Sequence, residues 1–165
     1  MTPQSDERGF FARSWCVREM TEAGISASFV QGSISHNLRR GTLRGLHFQR
    51  SPSSESKLVR CTAGAVYDVL VDLRPSSTTY LAWIAQELTA DNHLGLYVPA
   101  GVAHGFQTLT DAAEVLYQMT DYFAPHLASG VSYNDPAFCI SWPLPISMIS
   151  ERDRSWPPHR VGMSD

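Results

Sequence analysis

Lys57-Leu58-Val59-Arg60-Cys61-Thr62-Ala63-Gly64-Ala65-Val66-Tyr67-Asp68-Val69-Leu70-Val71-Asp72-Leu73 reads as strand, turn, strand. β-branched and aliphatic residues fill both halves, and Thr62-Ala63-Gly64 breaks them with the small residues a tight turn requires. Alternate residues of a strand share a face, so Lys57 goes with Val59 and Cys61, and Arg60 with Leu58. Asp68 and Asp72 alternate with Val66 and Leu70. At least one of those carboxylates therefore approaches a buried face and needs a partner there, a nearby arginine being the ordinary one.

The same punctuation continues in both directions. Strands are expected at 42–49, 57–62, 65–73, 80–88, 94–98, 103–109 and 114–119, with Pro99-Ala100-Gly101 as another turn. Short connections of this kind suit antiparallel hairpins, and the pattern predicts an all-β sandwich or barrel. Helix is expected at 16–23, stopped by Gly24, and in a short turn capped by Ser150. From Trp156-Pro157-Pro158 onward the chain reads as a loose tail. No repeat or linker divides the 165 residues, so one domain is expected over 1–165, large enough to bury about two-thirds of its unfolded surface.

Composition excludes several functions. A net charge of -3 with 18% charged residues gives no basic field for nucleic acid. Cys16, Cys61 and Cys139 are too scattered for a disulfide framework or a paired zinc site, which favours a reducing cytoplasm. The first residues lack a signal-peptide pattern, and no apolar run approaches the ~18 residues of a membrane span.

The chemistry concentrates in Gly41-Thr42-Leu43-Arg44-Gly45-Leu46-His47-Phe48-Gln49 and Lys57 to Arg60. A histidine moves protons near neutral pH, and cations beside it hold anions or steady developing negative charge. Regular alternation puts His47 and Gln49 on one face and Arg44, Leu46 and Phe48 on the other. If Arg44 and His47 serve one pocket, Gly45 must mark a bulge. Taken singly, each residue also has a structural reading: His47 as a core histidine, Lys57 as an edge lysine, Tyr117 as a core aromatic, and Asp153 as the acidic member of a capping box with Ser150.

Pro99-x-Gly101-x-x-His104 resembles the second motif of the cupin superfamily. Metal-binding cupins pair it with His-x-His and a glutamate; His47-Phe48-Gln49 offers an amide in place of one imidazole. With Glu55 as the remaining acidic candidate, no metal is expected.

Several segments recur together in one order: Asp6-Glu7-Arg8-Gly9-Phe10-Phe11, Gly41 to Gln49, Lys57 to Arg60, Val66-Tyr67-Asp68-Val69, Pro99 to Phe106, Glu114 to Tyr117, Asn134-Asp135-Pro136, Trp142-Pro143 and Ser150 to Asp153. As a set they resemble the dTDP-4-dehydrorhamnose 3,5-epimerase family, a metal-independent branch of the cupins. The resemblance implies a cupin-type jelly-roll β-barrel and a homodimer whose N-terminal strands reach the partner's site. It further implies epimerisation of a dTDP-linked 4-keto-6-deoxy sugar at C3, C5 or both, without metal or redox cofactor, nucleic acid or membrane.

By the same resemblance His47 matches the catalytic base, Asp153 its carboxylate partner, Tyr117 the acid on the opposite face, and Lys57 the cation beside the keto oxygen. Arg8, Phe11, Gln31, Arg44, Gln49, Arg60, His104, Tyr122 and Arg152 match substrate contacts. Alternatives are a sugar-nucleotide ketoisomerase, a non-catalytic nucleotide-sugar-binding cupin and a metal-dependent cupin enzyme. The chain departs from the family at Ser33, where asparagine is common, at Arg13, where an acidic residue is frequent, in a loop between Gln31 and Gly41 that is one residue longer, and in its short N-terminus.

Overall fold

The structure is a computed structural model and describes residues 2–26 and 28–159. Two antiparallel sheets face each other. The first has the order β3-β10-β5-β8, from β3 (Gln31–Asn37), β10 (Ala113–Met119), β5 (Lys57–Ala63) and β8 (Leu96–Val98). The second runs β11-β4-β9-β6-β7, from β11 (Ala128–Gly130), β4 (Thr42–Gln49), β9 (Val102–Thr108), β6 (Ala65–Asp72) and β7 (Trp83–Thr89), and β12 (Met148–Ile149) joins β4 in parallel. A hairpin of β1 (Gln4–Asp6) and β2 (Gly9–Phe11) pairs only with itself. The helices α1 (Val17–Glu22) and α2 (Glu151–Arg154) are short.

The turns at residues 62–64 and 99–101 do not make the hairpins expected of them. Each carries the chain from one sheet to the other, because β5 and β8 belong to the first sheet while β6 and β9 belong to the second. That crossing produces the jelly roll. Its interior is packed by Val59, Cys61, Val98 and Val115 of the first sheet against Val66, Leu70, Leu88, Val102 and Phe106 of the second. Full burial of one such aliphatic or aromatic side chain stabilises by about 1.5–3 kcal/mol.

A second core lies on the outer face of the larger sheet, where Leu46, Val69, Val71 and Ala103 are covered by Val131, Phe138, Ile140 and Trp142. β6 is therefore buried on both faces, which is why its sequence is almost continuously apolar. Asp68 points inward and is fully buried against His104, while Asp72 is bound by Arg74, Ser77 and Thr79.

Other expectations need correction. The strand expected from Tyr80 begins at Trp83, because Tyr80 and Ala82 are held in turns by Ser77 O and Thr79 O. The loop expected between Gln31 and Gly41 contains a strand: Gln-Gly-Ser-Ile-Ser-His-Asn lacks an apolar face, and its ladder to β10 makes it β3. The tail expected from Trp156 is anchored through residue 159: Pro157 O accepts from Ser132 N–H at 3.2 Å, and Tyr80 Oη meets His159 Nε2 at 2.8 Å. Residues beyond 159 lie outside the described residues. No helix is long and apolar enough to cross a membrane among the described residues.

Candidate active site

A cavity of about 290 Å³ opens between the sheets, lined by His47 and Gln49 of β4, Lys57 of β5, Tyr117 and Met119 of β10, and Gln31 and Ser33 of β3. Phe123, Ser129 and Arg152 complete its rim. A larger cavity of about 500 Å³ is lined by Arg74, Tyr80, Pro157 and His159, but by none of His47, Lys57, Tyr117 or Asp153. The smaller one therefore gathers His47, Lys57 and Tyr117.

The anticipated bulge is present at Gly45. Arg44 pairs with Phe106 and His47 with His104, so β4 takes three steps where β9 takes two. Directly opposed residues share a face, so both Arg44 and His47 turn toward the interior side that Phe106 and His104 occupy. Gly45 has φ +114°, and a Cβ there would come within 2.6 Å of Gly105 Cα. Only glycine fits.

Asp153 closes on His47 from the far end of the chain. Its Oδ1 lies 2.6 Å from His47 Nε2, and Oδ2 accepts the Gly45 N–H at 3.1 Å. Burial pushes this carboxyl up, but its hydrogen bond to and charge attraction from His47, with the Gly45 N–H, more than offset that and hold it below the usual carboxylate range. An ionised carboxylate only accepts, so Nε2 carries the proton and Nδ1 is the basic nitrogen of the imidazole. The capping role expected of Asp153 is met by its backbone, whose N–H donates to Ser150 Oγ at 3.0 Å. The carboxylate is left for His47.

On the opposite sheet Tyr117 packs edge-on against His104 at 5.8 Å. His104 in turn holds both Asp68 oxygens at 3.0 Å beneath it. Burial, reinforced by the Asp68 charge and partly opposed by Arg44, raises the Tyr117 phenol far above its ordinary value. Its hydroxyl makes no hydrogen bond to another described residue. Lys57 Nζ sits 3.0 Å from Glu55 Oε1, and Glu55 Oε2 accepts from Gln49 Nε2 at 3.0 Å. Each potential metal ligand of the cupin pattern is thus engaged with another side chain: His47 with Asp153, His104 with Asp68, Glu55 with Lys57. No group of three or more metal-ligating side chains comes together among the described residues.

The remaining predicted contacts divide. Gln31 is tied to the Phe123 N–H at 2.7 Å and Gln49 to the Ala124 N–H at 2.8 Å, which shapes the cavity's rim. Arg44 donates to Asn37 Oδ1 at 2.6 Å. Arg60 is a correction: alternation puts it on the outer face of β5, where it donates to Ser14 O at 2.6 Å and does not line the cavity. Arg8 pairs with Asp6 in the exposed β1–β2 hairpin, and Phe11 is 78% exposed. Tyr122 is exposed, while the adjacent Phe123 lines the cavity. Phe123 escaped sequence reasoning, since nothing local distinguishes it from its neighbour.

A model of the dTDP-4-dehydrorhamnose 3,5-epimerase family matches residues 1–160. The chain belongs to this family. It is 46% identical over 151 residues to the dTDP-4-dehydrorhamnose 3,5-epimerase of Pseudomonas aeruginosa, a match covering 90% of this chain and 82% of that protein. Among solved structures, the Bacillus anthracis dTDP-4-dehydrorhamnose 3,5-epimerase with TDP and PPi bound superposes with a TM-score of 0.93 at 41% identity, covering 96% of this chain and 90% of that one. The Legionella pneumophila dTDP-6-deoxy-D-glucose-3,5-epimerase in complex with dTDP-4-keto-L-rhamnose gives 0.89 at 38%, covering 95% and 84%. The fold is accordingly the cupin-like barrel of these epimerases.

Proposed function

We propose that this chain epimerises a dTDP-4-keto-6-deoxyhexose at C3, C5 or both, through an enolate, in nucleotide-sugar biosynthesis. The observation that carries the reading is that two proton-exchanging side chains come from opposite sheets into one cavity, His47 from β4 and Tyr117 from β10, with Lys57 beside them. A binder needs no such opposition. Family membership, and relatives whose names specify this reaction, support the same reading.

Nδ1 of His47 takes the proton from a carbon next to the C4 ketone. The electron pair moves onto the keto oxygen, and the Lys57 ammonium stabilises the resulting enolate in a site partly closed to water. The Tyr117 phenol then protonates that carbon from the other face, inverting it, and both side chains recover their protonation from solvent. A phenol held so high is a poor acid toward water but adequate toward an enolate carbon, and it stays loaded throughout the physiological range. Asp153 offsets the charge that His47 acquires.

Arg44 and Arg152 are assigned to the diphosphate, where guanidinium groups bind bidentately, with Gln31, Gln49, His104 and Tyr122 lining or framing the substrate. Arg8 and Phe11, exposed on a hairpin that stands apart from both sheets, are assigned to the cavity of a second copy in a homodimer. Binding energy from the nucleotide then fixes the sugar between base and acid. The match over residues 1–160 supports a single domain, and the free cysteines suit a reducing cytoplasm.

Incubation with dTDP-4-keto-6-deoxyglucose in deuterated water tests the reaction. Deuterium is expected at C3, C5 or both, and the labelled positions define the regiochemistry; absence of label at both carbons under turnover conditions refutes the epimerase reading. Light scattering of the purified chain, expected to give twice the monomer mass, tests the dimer.

A further inference from the structure

We propose that Trp156 is a positioning residue for the His47–Asp153 pair, an indole wedge that fixes the imidazole edge-on and keeps water from the carboxylate. This rests on the assignment of His47 as the base.

Gly130 of β11 is the direct partner of His47 across the sheet, so a side chain there would lie on the imidazole's face. A Cβ at Gly130 would fall 2.4 Å from Trp156 Cε2 and 2.5 Å from Nε1, and 2.6 Å from Leu46 O of β4. The space that glycine vacates is filled by the indole. From that seat the ring meets His47 edge-on, with centroids 6.4 Å apart and planes at 70°. The Arg152 guanidinium covers it at 5.2 Å. Nε1 is buried without a hydrogen-bond partner among the described residues, and the indole N–H is the least of the influences that hold the Asp153 carboxyl down.

α2 has four residues, and a helix of that length has no stability of its own. β12 holds it to β4 on the N-terminal side, and packing of the segment that follows holds the C-terminal side, together keeping Asp153 at 2.6 Å from His47. That segment is clamped beyond the ring, where Ser132 N–H donates to Pro157 O and His159 N–H donates to Asp135. Trp156 is the only aromatic side chain between the capped helix and these anchors.

The test uses the full chain labelled with 15N-histidine, following the His47 Nε2–H resonance, identified by its loss in His47→Asn, alongside steady-state kinetics. In Trp156→Ala the proton is expected to exchange with solvent several-fold faster. kcat should fall by roughly 10²-fold, the loss a small misplacement of a reacting group produces, with KM little changed. Gly130→Ala, whose Cβ would press on the ring and also on the Leu46 carbonyl of β4, is expected to accelerate exchange as well.

Trp156→Phe keeps a ring on Gly130 should the alanine variant fail to fold; it is expected to accelerate exchange less. Unchanged Nε2–H exchange in folded Trp156→Phe and Gly130→Ala overturns the proposal. Wild-type protein inert toward dTDP-4-keto-6-deoxyglucose would instead refute the epimerase reading, and the exchange rates would still report on the wedge.

Discussion

Asp153 meets His47 at 2.6 Å across 106 residues of chain, and its second oxygen takes the N–H of Gly45, the residue that bulges β4. One carboxylate thus ties His47 to the irregularity that aims it. In Asp153→Asn the amide can donate to Nε2 and transfer the imidazole proton to Nδ1, disabling the base. Epimerisation is expected to fall about 10²–10⁴-fold, the range general acid–base groups supply, in a chain that remains folded by circular dichroism.

The same pair sets an acid limit on stability. Asp153 has a depressed folded-state value, so its stabilisation is complete above the unfolded carboxyl value of about 3.9 and disappears as pH falls through the lower folded value. Urea titrations of wild type and Asp153→Asn should therefore differ at pH 7 and converge below about pH 4. A difference that grows on acidification would contradict this.

Tyr117→Phe separates proton removal from inversion. Without the phenol, His47 can still take a proton and return deuterium to the same face, so label should appear in unreacted substrate while product formation falls about 10²–10⁴-fold. Because burial raises the wild-type phenol, its ionisation should cause no loss of activity below about pH 10.

Lys57 and Glu55 are nearly enclosed, with side chains 16% and 8% exposed, so removing one strands the other. Lys57→Met should lower kcat about 10²–10³-fold through loss of enolate stabilisation. It should also destabilise the fold by about 1–3 kcal/mol because the Glu55 carboxylate loses its cation. Adding Glu55→Gln should recover stability without recovering turnover.

Gly45→Ala tests the bulge. A Cβ at φ +114° with backbone only 2.6 Å away should cost about 2–6 kcal/mol, combining left-handed strain with overpacking, measurable by chemical denaturation. Gly45 makes its contacts through the backbone, so an unaffected fold and activity would show that the register shift does not aim Arg44 and His47.

Legibility followed the range of the forces involved. Strands β4, β5, β6, β9 and β10 were readable because alternation and turn residues act within a few positions. β3 was not, since its polar sequence becomes strand only by pairing with β10. The hairpins expected at residues 62–64 and 99–101 failed for a related reason: turn chemistry specifies that a chain reverses, not which sheet receives it. Phe123 lines the cavity through packing that no local pattern encodes, whereas the placement of Arg60 outside it follows from the alternation of β5.

By itself, the sequence determined an all-β chain, that Lys57 shares a face with Val59 and Cys61, and, through the ordered resemblance of its motifs, the family. Tertiary structure alone decided that Arg44 and His47 share a face, that Asp153 caps α2 with its backbone and so keeps its carboxylate for His47, and that Gly130 makes room for Trp156. The first set depends on backbone geometry between neighbouring residues, which composition and spacing express directly. The second depends on contacts between segments tens of residues apart, whose register is settled only when both faces of the larger sheet are buried.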